Sequence, residues 1–268
     1  MEASPRPAFE FSKWYLDAVA ENGEVFIGYR ANLRWRRLRA SYAATLTGGA
    51  QGARTKSTVR PGEEPDFFEG ALAWAEPKLA VAATWRGAAQ STSRVLHETS
   101  EGAVVWRCLM PSAEGSITCG GVAIRGLGYV EHLSMTLPPW KLPIDTLRWG
   151  RFLSPEHSVV WIDWERESAR RTWVFANGAE VRGKLSEEDV FFEGGRVRLP
   201  QRGRLLLRDG RLSNLLRNLP LPLPLRTRLG SRALSIRETK WRTRGFLEFA
   251  GAPAVEAWAI HEVVRFRT

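Results

Sequence analysis

The chain has 268 residues, 44% of them hydrophobic, with twelve tryptophans, two cysteines and a formal net charge of +10. That length suits one large β domain or two domains of ordinary size, with a substantial core. Two cysteines without a His/Cys ligand spacing argue against structural zinc. No apolar run approaches the roughly 18–20 residues of a spanning helix.

The charge is regional. Between Arg196 and Arg244 fourteen basic residues face only Asp209 and Glu238, so this segment carries +12 and the remainder sums to −2. A localised basic surface points to phosphates, nucleic acid or an anionic membrane. The amino terminus, MEASPRPAFEF, lacks a basic segment followed by an apolar one, so no signal peptide is expected. The expected location is cytoplasmic, with reduced thiols.

In chain order, FSKWYLDAVA (Phe11 to Ala20) reads as a short helix. EVFIGYR and GAVVWRCLM read as strands, and PSAEGS reads as a turn that sets Cys108 opposite Cys119. GSITCGGVAI follows, then a tight Gly126–Gly128 pair feeding the strand GYVEHLSM. The proline-rich TLPPWKLPIDT reads as a linker. Beyond it SVVWIDWE is a strand, and RTWVFANGAEVRG is a hairpin with its Asn177–Gly178 turn. RLLLRDGRL, with a turn signal at Asp209–Gly210, and VEAWAIHEVVRF read as further strands; SNLLRNL reads as a second short helix. Even strand spacing with turn signals indicates antiparallel β sandwiches or barrels. The expected division is residues 8–140 and 141–268, with one continuous barrel as the alternative. No fixed-period repeat is evident.

The chemical residues cluster at mid-chain. On a strand, residues two apart share a face, so Tyr129 and Glu131 project together and His132 faces away. A carboxyl in an apolar cavity is raised in pKa and can stay protonated near neutrality. Such an acid can protonate an alkene to a tertiary carbocation, which aromatic faces stabilise. The bland alternative pairs Glu131 with an arginine. Tyr15 and Asp17 share a face only if their segment is extended, and Asp17 then orients it. Asp163 and Glu165 share a face with Trp161, and arginine pairing is expected over glycoside hydrolysis. His97, His157 and His261 are scattered. No phosphate loop or dinucleotide fingerprint occurs, so no metal or nucleotide cofactor is expected.

KWYLDA, GLGYVEH, the proline-rich link, LRWGRF…SVVWIDWE and GFLEF…EAWAIHEVVRF together resemble the carotenoid hydratase (hydroxyneurosporene synthase) family. Its wider relatives are tocopherol cyclase and the lipocalin-like pericyclases that perform Diels–Alder closures. The resemblance implies an all-β protein of two lipocalin-like antiparallel domains packed together, with an apolar ligand site in or between them. Carotenoid hydratases carry a Tyr-x-Asp, matched here by Tyr129 and Glu131, and a His-x-Trp one strand earlier. Trp106 matches that tryptophan, while Val104 stands where the histidine belongs, removing an ionisable group.

These readings converge on binding of a long apolar isoprenoid or polyene, with cofactor-free water addition or cyclisation at a C=C bond. Glu131 is the expected proton donor and Tyr129 its hydrogen-bond partner. The ligand-contacting set is Trp106, Trp14, Asp17 and His132. The alternatives are a non-catalytic carrier, a pericyclase acting by shape, and a carbohydrate-binding β sandwich. LLRNLPLPLPLRTRLG alternates leucine and proline before its arginines. Its Leu221, Leu223, Leu225, Arg226 and Arg228 are either a peripheral contact with an anionic membrane surface or a lid over a barrel mouth. Nucleic acid ranks third, because Trp241 is the one stacking aromatic in the basic region.

Overall fold

A computed structural model describes residues 7–87, 91–167, 169–211 and 236–266. Among the described residues ten strands precede the proline-rich link: β1 (Phe9–Val19), β2 (Val25–Trp35), β3 (Leu38–Gly49), β4 (Gly52–Thr58), β5 (Asp66–Phe68), β6 (Ala71–Glu76), β7 (Val81–Arg86), β8 (Thr92–Thr99), β9 (Gly102–Cys119) and β10 (Val122–Met135). Ten follow it: β11 (Thr146–Leu153), β12 (Ser158–Arg166), β13 (Ala169–Ala176), β14 (Ala179–Val181), β15 (Gly183–Leu185), β16 (Asp189–Phe192), β17 (Gly195–Arg198), β18 (Leu205–Arg211), β19 (Arg237–Phe249) and β20 (Val255–Arg265). The link itself holds only a 3₁₀ turn, Pro139–Lys141.

The first sheet runs β4-β3-β2-β1-β10-β9-β7-β6-β5, with β8 also on β9. The second repeats this order with every label raised by ten. The chain is therefore a topological duplicate whose repeat was invisible in its residues. Equivalent positions keep their burial but exchange their chemistry. Tyr15 lies opposite Glu131 in one half, and Trp149 opposite Glu262 in the other.

Alternation sorts the side chains into three cores. Leu16, Phe26, Trp74, Trp85 and Val130 fill the first barrel, and Phe152, Val159, Trp161, Val174 and Leu247 fill the second. The opposite faces of the same strands meet between the domains in a larger core that includes Tyr15, Tyr29, Trp106, Tyr129, Trp149, Ile162 and Phe175. This arrangement corrects the first helix reading: Phe11 to Ala20 lies in or next to β1. Tyr15 and Val19 face the interdomain core while Leu16 and Ala18 face the barrel. Burial on both faces erases the polar alternation that identifies a strand.

Three turn readings are also corrected. PSAEGS lies inside the continuous β9, so Cys108 and Cys119 occupy one strand as buried free thiols rather than facing each other. Asp209 and Gly210 lie inside β18. Gly126 and Gly128 lie inside β10, where β1 comes close: a Cβ on Gly128 would sit 2.5 Å from the Asp17 carbonyl oxygen and 2.7 Å from the Trp85 ring. The β9–β10 register shifts beside Gly128, and such irregularities re-aim neighbouring side chains.

The basic region is partly neutralised in three dimensions. Arg196 and Arg198 pair with Glu248, Arg208 with Glu238, Arg237 with Asp209 and Arg244 with Glu256. Glu248 and Glu256 lie beyond the sequence window that made the segment look uniformly positive. The second helix reading and the five membrane-contact residues, Leu221 to Arg228, fall outside the described residues. Among the described residues no helix is long and apolar enough to cross a membrane.

Candidate functional site

The interdomain face of β1 and β10 meets that of β11 and β20, and two equivalent positions there bond to each other. Asp17 of β1 and Arg151 of β11 are both completely buried. The guanidinium donates to both carboxylate oxygens, Nη2 to Oδ1 at 2.6 Å and Nε to Oδ2 at 3.2 Å. Its Nη1 donates to the Trp258 carbonyl at 3.0 Å. Burial pushes the Asp17 carboxyl up, and Arg151 opposes that. Above this pair Tyr15 packs edge-on against Trp149, centroids 4.8 Å apart.

Glu131 sits on the same face, with only 6% of its surface exposed. Its Oε2 accepts three hydrogen bonds from neutral donors: Trp106 Nε1 at 2.5 Å, Tyr129 OH at 2.8 Å and Trp149 Nε1 at 3.1 Å. β9, β10 and β11 each supply one donor, so the cage spans both domains. Among the described residues no arginine or lysine ion-pairs with it, and Oε1 receives no hydrogen bond. Burial raises its pKa, while Lys13 and the Trp106 and Tyr129 hydrogen bonds pull it back. Because Oε2 is taken by three donors, a proton on this carboxyl resides on Oε1. Tyr129 is itself raised by burial. Phe175 packs 4.9 Å from Trp106, tilted to it, and extends the aromatic wall into the second domain.

The same interdomain core holds a cation that sequence reading missed. The Lys240 side chain is 1% exposed. It donates to Glu262 at 2.5 Å and to Tyr29 OH at 2.7 Å, and Glu238 lies 3.6 Å away. Its ammonium stands 4.8 Å from the Tyr15 ring centroid, 5.2 Å from Tyr29 and 5.7 Å from Trp149. Burial disfavours the charge, but Glu262, Tyr29 and Glu238 outweigh it and hold the lysine protonated. Glu262 is held ionised in turn, chiefly by Lys240 against its burial. By topology Glu262 is the counterpart of Glu131, so one acid of the duplicated pair is neutralised by a cation and the other is not. The shared glutamate in GYVEHL and WAIHEVV was the signal available in the sequence.

The structure thus brings Glu131, Tyr129 and Trp106 together and adds Trp149. It separates Trp14 and His132, whose tilted rings pack 4.8 Å apart on the barrel-interior face; β1 and β10 place them opposite each other. Asp17 shares the face of Glu131 but is occupied by Arg151. Asp163 is held by Arg148 at 3.0 Å and Arg170 at 2.6 Å, and Glu165 by Arg148 at 2.7 Å. His261, buried against Thr243 in the second barrel, is pushed down to about 3 by burial. Among the described residues no group of three His, Cys, Asp or Glu side chains is placed to hold a metal.

Fold and site together describe a two-domain, all-β, lipocalin-like protein with an unpaired buried acid between its domains. No family model matches the chain, and no curated protein matches it. Solved structures do. CghA, solved with Sch210972, superposes with a TM-score of 0.54 at 12% identity, over 96% of this chain and 88% of that one. Kievitone hydratase from Nectria haematococca gives 0.50 at 12%, over 97% and 89%. A putative AttH from Nitrosomonas europaea gives 0.50 at 10%, over 97% and 93%. The chain shares its fold with these proteins over nearly its full length, the fold that the sequence resemblance implied.

Proposed function

We propose that the chain binds a long apolar isoprenoid or polyene at the interdomain face and protonates one of its C=C bonds, leading to water addition or cyclisation. The observation that carries this reading is the Glu131 carboxyl, buried without an ion-pair partner among the described residues and hydrogen-bonded on Oε2 alone. In the step, the Oε1 proton passes to one alkene carbon and the π pair forms the new C–H bond. The adjacent carbon becomes a tertiary cation facing Trp106, Tyr129 and Trp149. The carboxylate left behind keeps its three donors, which bind an anion more strongly than a neutral acid. In hydration, water adds to the cation and its surplus proton returns to Glu131. In cyclisation a second C=C attacks the cation instead, its π pair forming the new C–C bond, and the cation so formed loses a neighbouring C–H proton to the Glu131 carboxylate, leaving a new C=C. One protein of this fold is a hydratase by name, in keeping with the reading. Val104, buried in the interdomain core, favours a shape-only pericyclase or a carrier as the second reading, since a hydratase-like site would hold histidine there.

The test is mass spectrometry of apolar extracts from protein purified out of its native host, then conversion of the compound found. An isoprenoid or polyene that the protein converts supports the reading. A bound sugar, or a bound polyene left unchanged, sinks the catalytic form. The rate should be highest while Glu131 is protonated and fall as pH rises through its raised folded-state pKa. A rate that instead climbs with pH over that window would assign the chemistry to a base.

The substrate class also implies collection from a membrane. Arginines near an anionic surface contribute about 1 kcal/mol each, screened by salt, and interfacial leucines add roughly 25 cal/mol per Å² buried. The protein is expected to co-sediment with anionic vesicles, to release at high salt and to ignore zwitterionic ones. Serine at Leu221, Leu223 and Leu225 should weaken that binding without unfolding the chain.

A further inference from the structure

A second site lies on the other face of the same strands. Its row is set by register: Ser134 of β10 stands opposite Ser12 of β1, Ser12 opposite Asn32 of β2, and Asn32 opposite Ser41 of β3. Directly opposed residues share a face, so four short polar side chains cross four strands. One step outward Glu10 stands opposite Arg34, and Arg34 opposite Arg39. One step inward Trp14 stands opposite His132 and Arg30. The two outer rows line a cleft of about 480 Å³ at the mouth of the first barrel. That size falls within the range of small-molecule sites.

The hydrogen-bond pattern shows which groups remain available. Asn32 Oδ1 already accepts from Arg30 at 2.6 Å and Ser41 at 2.7 Å, and its amide donates to Glu64. Glu10 is held by Arg34, whose Nε donates to it at 2.9 Å. Ser12, Ser134 and Arg39 make no side-chain hydrogen bond or ion pair among the described residues. Three donors, two hydroxyls and a guanidinium, therefore line one cleft with no side-chain acceptor bonded to them among the described residues. Arg36 and Arg37, both exposed at the β2–β3 turn, add to the positive rim. One row deeper the Trp14 and His132 rings, tilted 59° to each other with centroids 4.8 Å apart, present aromatic surface.

We infer that this mouth binds a small aryl or alicyclic carboxylate, its anion on Arg39 and the serine hydroxyls and its ring toward Trp14 and His132. The site is separate from Glu131, which projects from the opposite face of the sheet, and does not depend on the catalytic reading. The probe is 6-hydroxy-2-naphthoate, titrated into the full chain by calorimetry beside its methyl ester. One-site binding of the acid is expected, weakened about tenfold in Arg39→Ala, the loss of one charge-assisted contact. Ser134→Leu, which fills the cleft, should abolish it, while Glu131→Gln leaves it unchanged. The ester should bind wild type and Arg39→Ala equally. Absence of binding at millimolar probe overturns the inference. So does binding indifferent to Arg39→Ala, an exposed site where folding is not at stake, and so does binding that tracks Glu131→Gln.

Discussion

Asp17→Ala is expected to lower the unfolding free energy by about 3–5 kcal/mol, the usual cost of orphaning one partner of a buried ion pair. The expectation rests on geometry. Arg151 is completely buried and directs two of its nitrogens at Asp17, leaving only the Trp258 carbonyl as a further acceptor. Removing the carboxylate strands a guanidinium in the contact that joins the two barrels. Replacing both residues with apolar ones, Asp17→Leu with Arg151→Met, should recover most of the loss, because no charge then remains to be desolvated. Guanidinium denaturation of the two single variants and the double variant measures the coupling. A single-variant loss below about 1 kcal/mol would show that Asp17 is protonated in the native state, as its burial alone favours, and that the pair does not fasten the domains.

How far the residues announced this architecture depends on which faces of a strand are buried. Asn177–Gly178 was legible because a tight turn needs positive φ, which both residues adopt. Tyr129 and Glu131 were legible as a pair because period-two alternation is local. β1 was not, since its Leu16, Asp17 and Ala18 are all fully buried and present a helix-like run. PSAEGS misled for a related reason: its small residues continue β9 through a register shift instead of ending it. The Trp14–His132 contact and the Trp149–Glu131 hydrogen bond depend on strand pairing and domain packing across long sequence separations, which no local pattern encodes. Lys240 was hidden twice. It lay in a region read for its charge, and its partner Glu262 stood outside that region. The resemblance reached the fold because its motifs mark the strands that pack between the domains.

Glu131→Gln is expected to reduce turnover of the bound compound by about 10²–10⁴-fold, the range for loss of a general acid, with ligand binding unchanged. The amide is isosteric: its oxygen can take the place of Oε2 and accept from Trp106, Tyr129 and Trp149, while its NH₂ replaces Oε1–H without an acid's proton to give. Stability gives a second readout with a defined sign. Glu131 is raised in the folded state, so its stabilising share is complete below the unfolded carboxyl pKa and is lost as pH rises through the folded value. The glutamine variant carries no such loss and should gain on wild type as pH climbs through that window. Tyr129→Phe probes the cage. Removing one of three donors to the carboxylate disfavours the anion, so the fall in rate should shift to higher pH, with a smaller loss of turnover than in Glu131→Gln. Conversion by Glu131→Gln within about threefold of wild type, against the usual contribution of a general acid, would remove the carboxyl from the chemistry. The interdomain aromatic wall would then act by shape alone.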